Sequence, residues 1–169
     1  MAMERASMQD WFEVQEFFVR YATALDACDV ETVVGCFEPD GWLESPVLGR
    51  FTGHAGVRDF AMRTVRLKEE QGVQFRHVVS NLRVEVDGDR AHARCYLLDF
   101  LTRDGRTELL SPGEYDCDLK KSGGAWRFAR RSVTMDRIFT LPDGTDAKNA
   151  SPQAREEHHA GEKRPRRAP

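Results

Sequence analysis

Within the run QFRHVVSN, residues 74–81, stands His77, an imidazole on a β-prone stretch that continues into LRVEVDGD. Imidazole changes charge near neutral pH, so His77 beside a carboxylate is fitted to act as a general base. Asn81 lies four residues on and shares its parity along an unbroken strand, which predicts both side chains on one face. The alternative is a histidine simply satisfied in or beside the core. Val84 and Val86 have the opposite parity. If they are core, His77 faces the same interior only across a β-bulge, or else the two halves of the strand bury opposite faces. A second candidate is Asp99 in AHARCYLLDF, where Ala91, Ala93, Cys95, Leu97 and Asp99 share one parity. An acid at the end of an apolar face is either solvated where that face leaves the core, or buried with a raised pKa and fit for acid or base work.

Other chemistry-bearing residues do not converge in the sequence. His54 sits beside a predicted helix start and His92 has outward parity, so neither joins His77 in the two-histidine, one-carboxylate set that a facial iron site needs. Cys28, Cys36, Cys95 and Cys117 contain no C-x-x-C pair. Gly53 and Gly56 open no phosphate loop, since neither a GK[ST] nor a G-x-G-x-x-G follows a strand. No metal and no cofactor is expected.

The elements that must position His77 and Asp99 follow from periodicity. Residues 9–27 carry Trp11, Phe12, Val14, Phe17, Phe18, Tyr21 and Leu25 at helical spacing, which predicts a long amphipathic helix. Asp29 is a good N-cap for a short helix through VETVVGCF. EPDGW reads as a turn, and WLESPVLGRFTG as extended chain broken by Pro46 and Gly49. Residues 55–71 form a third helix, with Val57, Phe60, Ala61, Val65 and Leu67 inward. Four strands follow at 74–87, 90–102, 107–121 and 125–139, joined by DGD, RDGR and SGG hairpin signals. The predicted fold is α+β: a curved antiparallel sheet wrapped around a long N-terminal helix, with two further helices, leaving a cone-shaped cavity suited to a small molecule.

Composition bounds the rest. The 169 residues are 40% hydrophobic and 31% charged, with a formal net charge of −3, so one domain with a proper core is expected and a nucleic-acid or anionic-membrane footprint is not. The opening MAMERASMQDWF lacks the apolar core of a signal peptide, and no apolar run is long enough to span a bilayer. A soluble, cytoplasmic protein with reduced thiols is the expectation. From Pro142 onward almost nothing is available to bury, so the domain is expected to occupy residues 1–141 and a disordered tail, ending EKRPRRAP, residues 142–169.

The chain resembles a known family in YATALDACDVETVVGCFEPDG, GRFTGHAGVRDF, FRHVVSNLRVEVDGDRAHA and GEYDCDLKKSGGAWRFARRSV. These match the SnoaL-like branch of the nuclear-transport-factor-2-like cone folds, which includes polyketide cyclases, scytalone dehydratase, a bile-acid dehydratase and small subunits of ring-hydroxylating dioxygenases. In the dehydratases a tyrosine and an aspartate of the first helix meet a strand histidine inside the cone, and the matching positions here are Tyr21, Asp26 and His77. The bile-acid enzyme adds an aspartate on the next strand, matched by Asp99. The second histidine of scytalone dehydratase falls near Cys95, so that mechanism does not carry over whole.

The resemblance implies that His77 is the base, Asp26 orients it, Tyr21 polarises a substrate carbonyl and Asp99 serves as an acid or base, the alternatives being a plain core tyrosine at position 21 and a helix-terminal acid at position 26. Phe17, Trp42, Phe60, Cys95 and Tyr115 are the expected substrate-contacting walls, with ordinary core packing the alternative for the last four. The expected function is a cofactor-free lyase or isomerase, of dehydratase or cyclase type, acting on a small apolar enolisable substrate. The resemblance also implies a homo-oligomer, dimer or trimer. The alternatives are a non-catalytic small subunit of a ring-hydroxylating dioxygenase and a module that only binds a hydrophobic ligand.

Overall fold

Helix α1, Met8–Ala27, starts where the Ser7 side chain accepts from the Asp10 backbone N–H, and it stops at Cys28, whose φ of 61° is left-handed. The structure, a computed structural model, describes residues 4–137, 139–142 and 144. The expected tail therefore lies outside the described residues, apart from Pro142 and Gly144. Val14, Phe17, Phe18, Tyr21 and Leu25 form the buried stripe of α1, as its periodicity requires, whereas Trp11 and Phe12 stand on the exposed side. Asp29 caps α2, Val30–Gly35, by accepting from the Thr32 N–H. Helix α3, Gly53–Gln71, ends at Gly72 in the left-handed region that glycine tolerates best.

Among the described residues, seven strands form one sheet in the order β1-β4-β5-β6-β7-β2-β3. They are β1 (Glu4–Arg5), β2 (Phe37–Ser45), β3 (Gly49–Thr52), β4 (Gln74–Asp87), β5 (Arg90–Arg103), β6 (Arg106–Ser122) and β7 (Ala125–Met135). The four long strands make the expected antiparallel meander, but β7 stops at Met135, short of the predicted 139. The sheet is not wholly antiparallel, because β2 lies parallel beside β7. EPDGW is also not a free turn: it belongs to β2, and the irregularity it introduces falls between Phe37 and Trp42. A Cβ on Gly41 would lie 2.6 Å from the Phe128 carbonyl oxygen, so the strand can pass this close to β7 only without a side chain there.

Register shifts bend the sheet. They occur in β4 between Ser80 and Arg83, in β6 opposite the Asp99–Phe100 step, and in β7 beside Asp118–Leu119. Each inserts residues on one strand only, which raises local twist and reverses the inward parity beyond it. The concave face closes on α1 through Phe128, which is fully buried, with ring centroids of Phe17, Phe18, Tyr21 and Phe37 at 4.6–5.9 Å from it or from one another.

At Gly113, opposite Met135, β6 and β7 leave no room for a side chain, since a Cβ there would stand 2.2 Å from the Thr134 carbonyl oxygen. Gly113→Ala must push β6 and β7 apart. It is expected to destabilise the fold by about 1–3 kcal/mol, the usual range for overpacking, as read by urea denaturation. An unchanged midpoint contradicts this close approach.

Candidate active site

His77 reaches the concave face because of the bulge that its strand contains. Phe75, His77 and Val79 point inward, and after the shift at Ser80–Arg83 the inward set becomes Leu82, Val84 and Val86. Asn81 sits in the bulge with φ of 55° and is exposed, so the expectation that it shares a face with His77 is corrected. Across the ladder His77 pairs directly with Asp99 of β5, which places both side chains side by side on the inner face.

The last turn of α1 supplies the third group. Asp26 Oδ1 lies 2.6 Å from His77 Nδ1, and both carboxylate oxygens accept from the His77 backbone N–H at 3.2 Å. Gln74 Nε2 donates to the Asp26 carbonyl at 2.9 Å, tying the helix end to the start of β4. A carboxylate accepts only, so Nδ1 carries the proton and Nε2 is left facing the cavity. Nε2 is 3.9 Å from Asp99 Oδ1, and that oxygen has no hydrogen-bond partner.

Burial and charge compete at this trio. Burial pulls the His77 pKa down, but the Asp99 and hydrogen-bonded Asp26 carboxylates outweigh it and leave it above the ordinary imidazole value. Burial raises Asp99 above the usual carboxylate range, with the neighbouring imidazole opposing and Asp26 adding to the rise. The signs follow. The charged His77 ring contributes stability that is fully present below about pH 6.5 and is lost as pH rises through the folded pKa. Asp99 acts in the same direction, because the folded chain keeps its proton to higher pH and the cost of ionising it grows from about pH 4 upward. In an NMR titration His77 is expected to titrate above its model-peptide value, and lower in both Asp99→Asn and Asp26→Asn. A wild-type value below that of a free histidine contradicts the arrangement.

His77 and Asp99 open onto a cavity of about 80 Å3. Tyr115 and Phe60 line it, as expected, together with Arg131, Leu97, Phe139 and Leu141. Three expected walls do not. Phe17 packs against Phe18 and Phe128 in the core, Cys95 is buried opposite Tyr115 outside the lining, and Trp42 turns to the outer face of β2 beneath the Arg50 guanidinium at 3.9 Å. Tyr21 is likewise behind the wall rather than on it. Its ring packs on Phe37 and Phe128, its hydroxyl has no hydrogen-bond partner, and burial pushes its pKa up to about 12. Tyr21 and Asp26 are about 140° apart around an ideal helix, and only Asp26 is turned toward β4. The other two described histidines are elsewhere: His54 Nε2 is 2.9 Å from the Phe37 carbonyl, and His92 sits on the outer face with Asp118 and Asp116.

Arg131 was not foreseen. Counting from Trp126 and Phe128, alternation would turn Arg130 inward, but the shift at Ala129 gives that direction to Arg131. The signal available in the sequence is the adjacent pair itself: two arginines in succession on a strand must face opposite ways, so one of them enters the cone.

The comparisons agree with this architecture. A family model described as a SnoaL-like domain matches residues 6–132. The uncharacterized protein Rv2910c of Mycobacterium tuberculosis is 26% identical over 132 residues, covering 76% of this chain and 87% of that protein. The structure of Rv3472(D26N), a protein of unknown function from Mycobacterium tuberculosis, superposes with a TM-score of 0.71 at 27% identity, covering 90% of this chain and 92% of the other. ActVI-ORFA from Streptomyces coelicolor shares the fold, with a TM-score of 0.68 at 21% identity over 76% of this chain and 98% of its own.

Proposed function

Because the chain belongs to the SnoaL-like domain family, whose cone fold includes polyketide cyclases and other enzymes, we propose that its cavity carries out cofactor-free lyase or isomerase chemistry on a small enolisable molecule. The observation that carries this reading is the clamped imidazole. Asp26 holds Nδ1–H at 2.6 Å, and the free Nε2 faces Asp99 inside a largely apolar cavity. Acid and base are thus set side by side, with pKa values shifted by burial and by each other.

In the dehydration of a β-hydroxy ketone, His77 Nε2 takes the proton next to the carbonyl and the C–H electron pair becomes the enolate. Re-formation of the carbonyl forms the C=C bond and breaks the C–O bond to the β-hydroxyl. The His77 imidazolium, stabilised by the Asp99 carboxylate beside Nε2, gives that proton to the leaving oxygen, so the products are an enone and water and the neutral ring is restored. For isomerisation the same pair moves a proton from one carbon to another without loss of water. Tyr115 lines the cavity and burial keeps its hydroxyl protonated well above the usual range, which supports it as the donor to the enolate oxygen. Tyr21, the donor implied by the resemblance, is the second candidate, and Tyr→Phe substitution at each position separates them.

The test is proton exchange in D2O with 3-hydroxycyclohexanone, followed by NMR, with enone formation followed by ultraviolet absorbance. Exchange and enone formation above the buffer rate are expected. Tight binding of apolar ketones with neither reaction would leave a binding module instead. A homo-oligomer, dimer or trimer, belongs to the same proposal. Val78 and Tyr96, 45% and 54% exposed, stand on the outer face of β4 and β5 and suit burial against another copy. Light scattering is expected to give a mass of two or three chains.

A further inference from the structure

Arg131 is only 2% exposed, yet it lines the cavity that contains His77 and Asp99. Its guanidinium carbon lies 4.9 Å from the Tyr115 ring centroid, 5.4 Å from that of Tyr21 and 5.5 Å from that of Phe60. Its Nε has no hydrogen-bond partner, and no carboxylate among the described residues forms an ion pair with it. The adjacent Arg130, on the outer face, shows what a structural arginine of this strand looks like: its Nε donates to Asp118 at 2.6 Å and its terminal nitrogen pairs with Asp116. A buried guanidinium held by ring faces and by a neutral hydrogen bond to Tyr115 is only part-compensated, because these contacts return a fraction of the lost hydration and no negative charge. Asp99 does not supply the missing charge, since its near neighbour is His77 Nε2.

We propose that Arg131 is the anchor for a substrate carboxylate, so that the molecule processed in the cone is a small organic acid with a compact apolar body. The planar fork of the guanidinium matches a carboxylate in two parallel hydrogen bonds. The three rings hold that fork in place before anything binds, which lowers the ordering cost of recognition. A cavity of about 80 Å3 is small enough that a molecule seated on Arg131 is also within reach of His77 and Asp99. Among the described residues the lining contains one arginine and no lysine, which suits a singly charged carboxylate better than a phosphate. This substrate class rests on the proton-transfer reading of the same cavity. It adds that the enolisable acid is oriented by its charged end, with the reacting carbon presented to Nε2.

The test uses simple probes on the whole chain. Crotonate and benzoate are titrated against the neutral isosteres crotonamide and benzamide at pH 8 by calorimetry. At least one acid is expected to bind the wild type tenfold or more tighter than its amide, the scale of one charge-assisted bidentate pair. Arg131→Met is expected to abolish the preference and Arg131→Lys to retain part of it, with a thermal melt of each variant. If neither variant folds, the Arg131 Nε–H resonance of the wild type is still expected to move on adding the acid and not the amide. Equal binding of acid and amide, no binding of either acid, or a preference that survives in folded Arg131→Met overturns the proposal. His77→Gln separates the two readings, because it should keep the carboxylate preference while losing proton exchange. Exchange without the preference sinks the anchor alone. The preference without exchange sinks the proton-transfer reading alone.

Discussion

Replacing His77 with alanine is expected to lower turnover by a factor on the order of 10²–10⁴, the range for loss of a positioned general base. Nothing else in the cavity is equipped to take over. Asp99 is a carboxylate and so intrinsically a weaker base than an imidazole, and Asp26 is turned to the back of the imidazole rather than to the cavity. The fold should survive. The aromatic cluster around Phe128 does not include His77, and the backbone N–H at position 77 still satisfies both oxygens of Asp26. The melting midpoint should therefore fall by only a few degrees, in keeping with a loss of about 1 kcal/mol. A collapsed melt would mean that the ring is a structural hydrogen-bonding group. An unchanged rate in a folded variant would mean that it is no base at all.

Phe128→Ala should do the opposite, removing stability while leaving every polar group of the site in place. Phe128 is fully buried, with the rings of Phe17, Tyr21 and Phe37 at 4.6 Å, 5.1 Å and 5.1 Å. It joins α1 to β7, and so sets how far the helix end that carries Asp26 stands from the sheet. Truncation in such a place removes the transfer energy of the ring and leaves a cavity that the surrounding strands cannot close. The expected loss is about 3–5 kcal/mol, readable by urea denaturation. A loss under 1 kcal/mol would show that α1 and the sheet can repack without it.

What could be read from the sequence was what local rules control. Helical spacing located α1 and α3, Asp29 marked the start of α2, and the glycine-bearing turns delimited β4 to β7 closely, with β7 ending early. The parity conflict between His77 and Val84 left either a bulge or a change of buried face; the structure has the bulge, at Ser80–Arg83, and so turns Asn81 away from the face that unbroken alternation gives it. The same blindness hid Arg131, because the inserted residue at Ala129 reverses alternation without any strong signal of its own. The parallel pairing of β2 with β7 joins segments far apart in the chain, which no local pattern reports. Local patterns do not report the outward turn of Trp42, or the place of Tyr21 behind the cavity wall, for a related reason. Helical periodicity says that a side chain is buried, whereas which wall of a cone it stands behind depends on the curvature of the whole sheet.

The central claim is that His77 and Asp26 act as one unit, the carboxylate fixing the tautomer and aim of the imidazole. A double-mutant cycle on turnover of the 3-hydroxycyclohexanone probe tests this directly. Groups that act together are strongly non-additive. Asp26→Asn alone should cost less than His77→Ala, because the imidazole remains but is less basic and less well held. The double variant should be little slower than His77→Ala, with all three proteins folded by their thermal melts. Losses that multiply independently would contradict the pair, and with it the account of how this cone handles a proton.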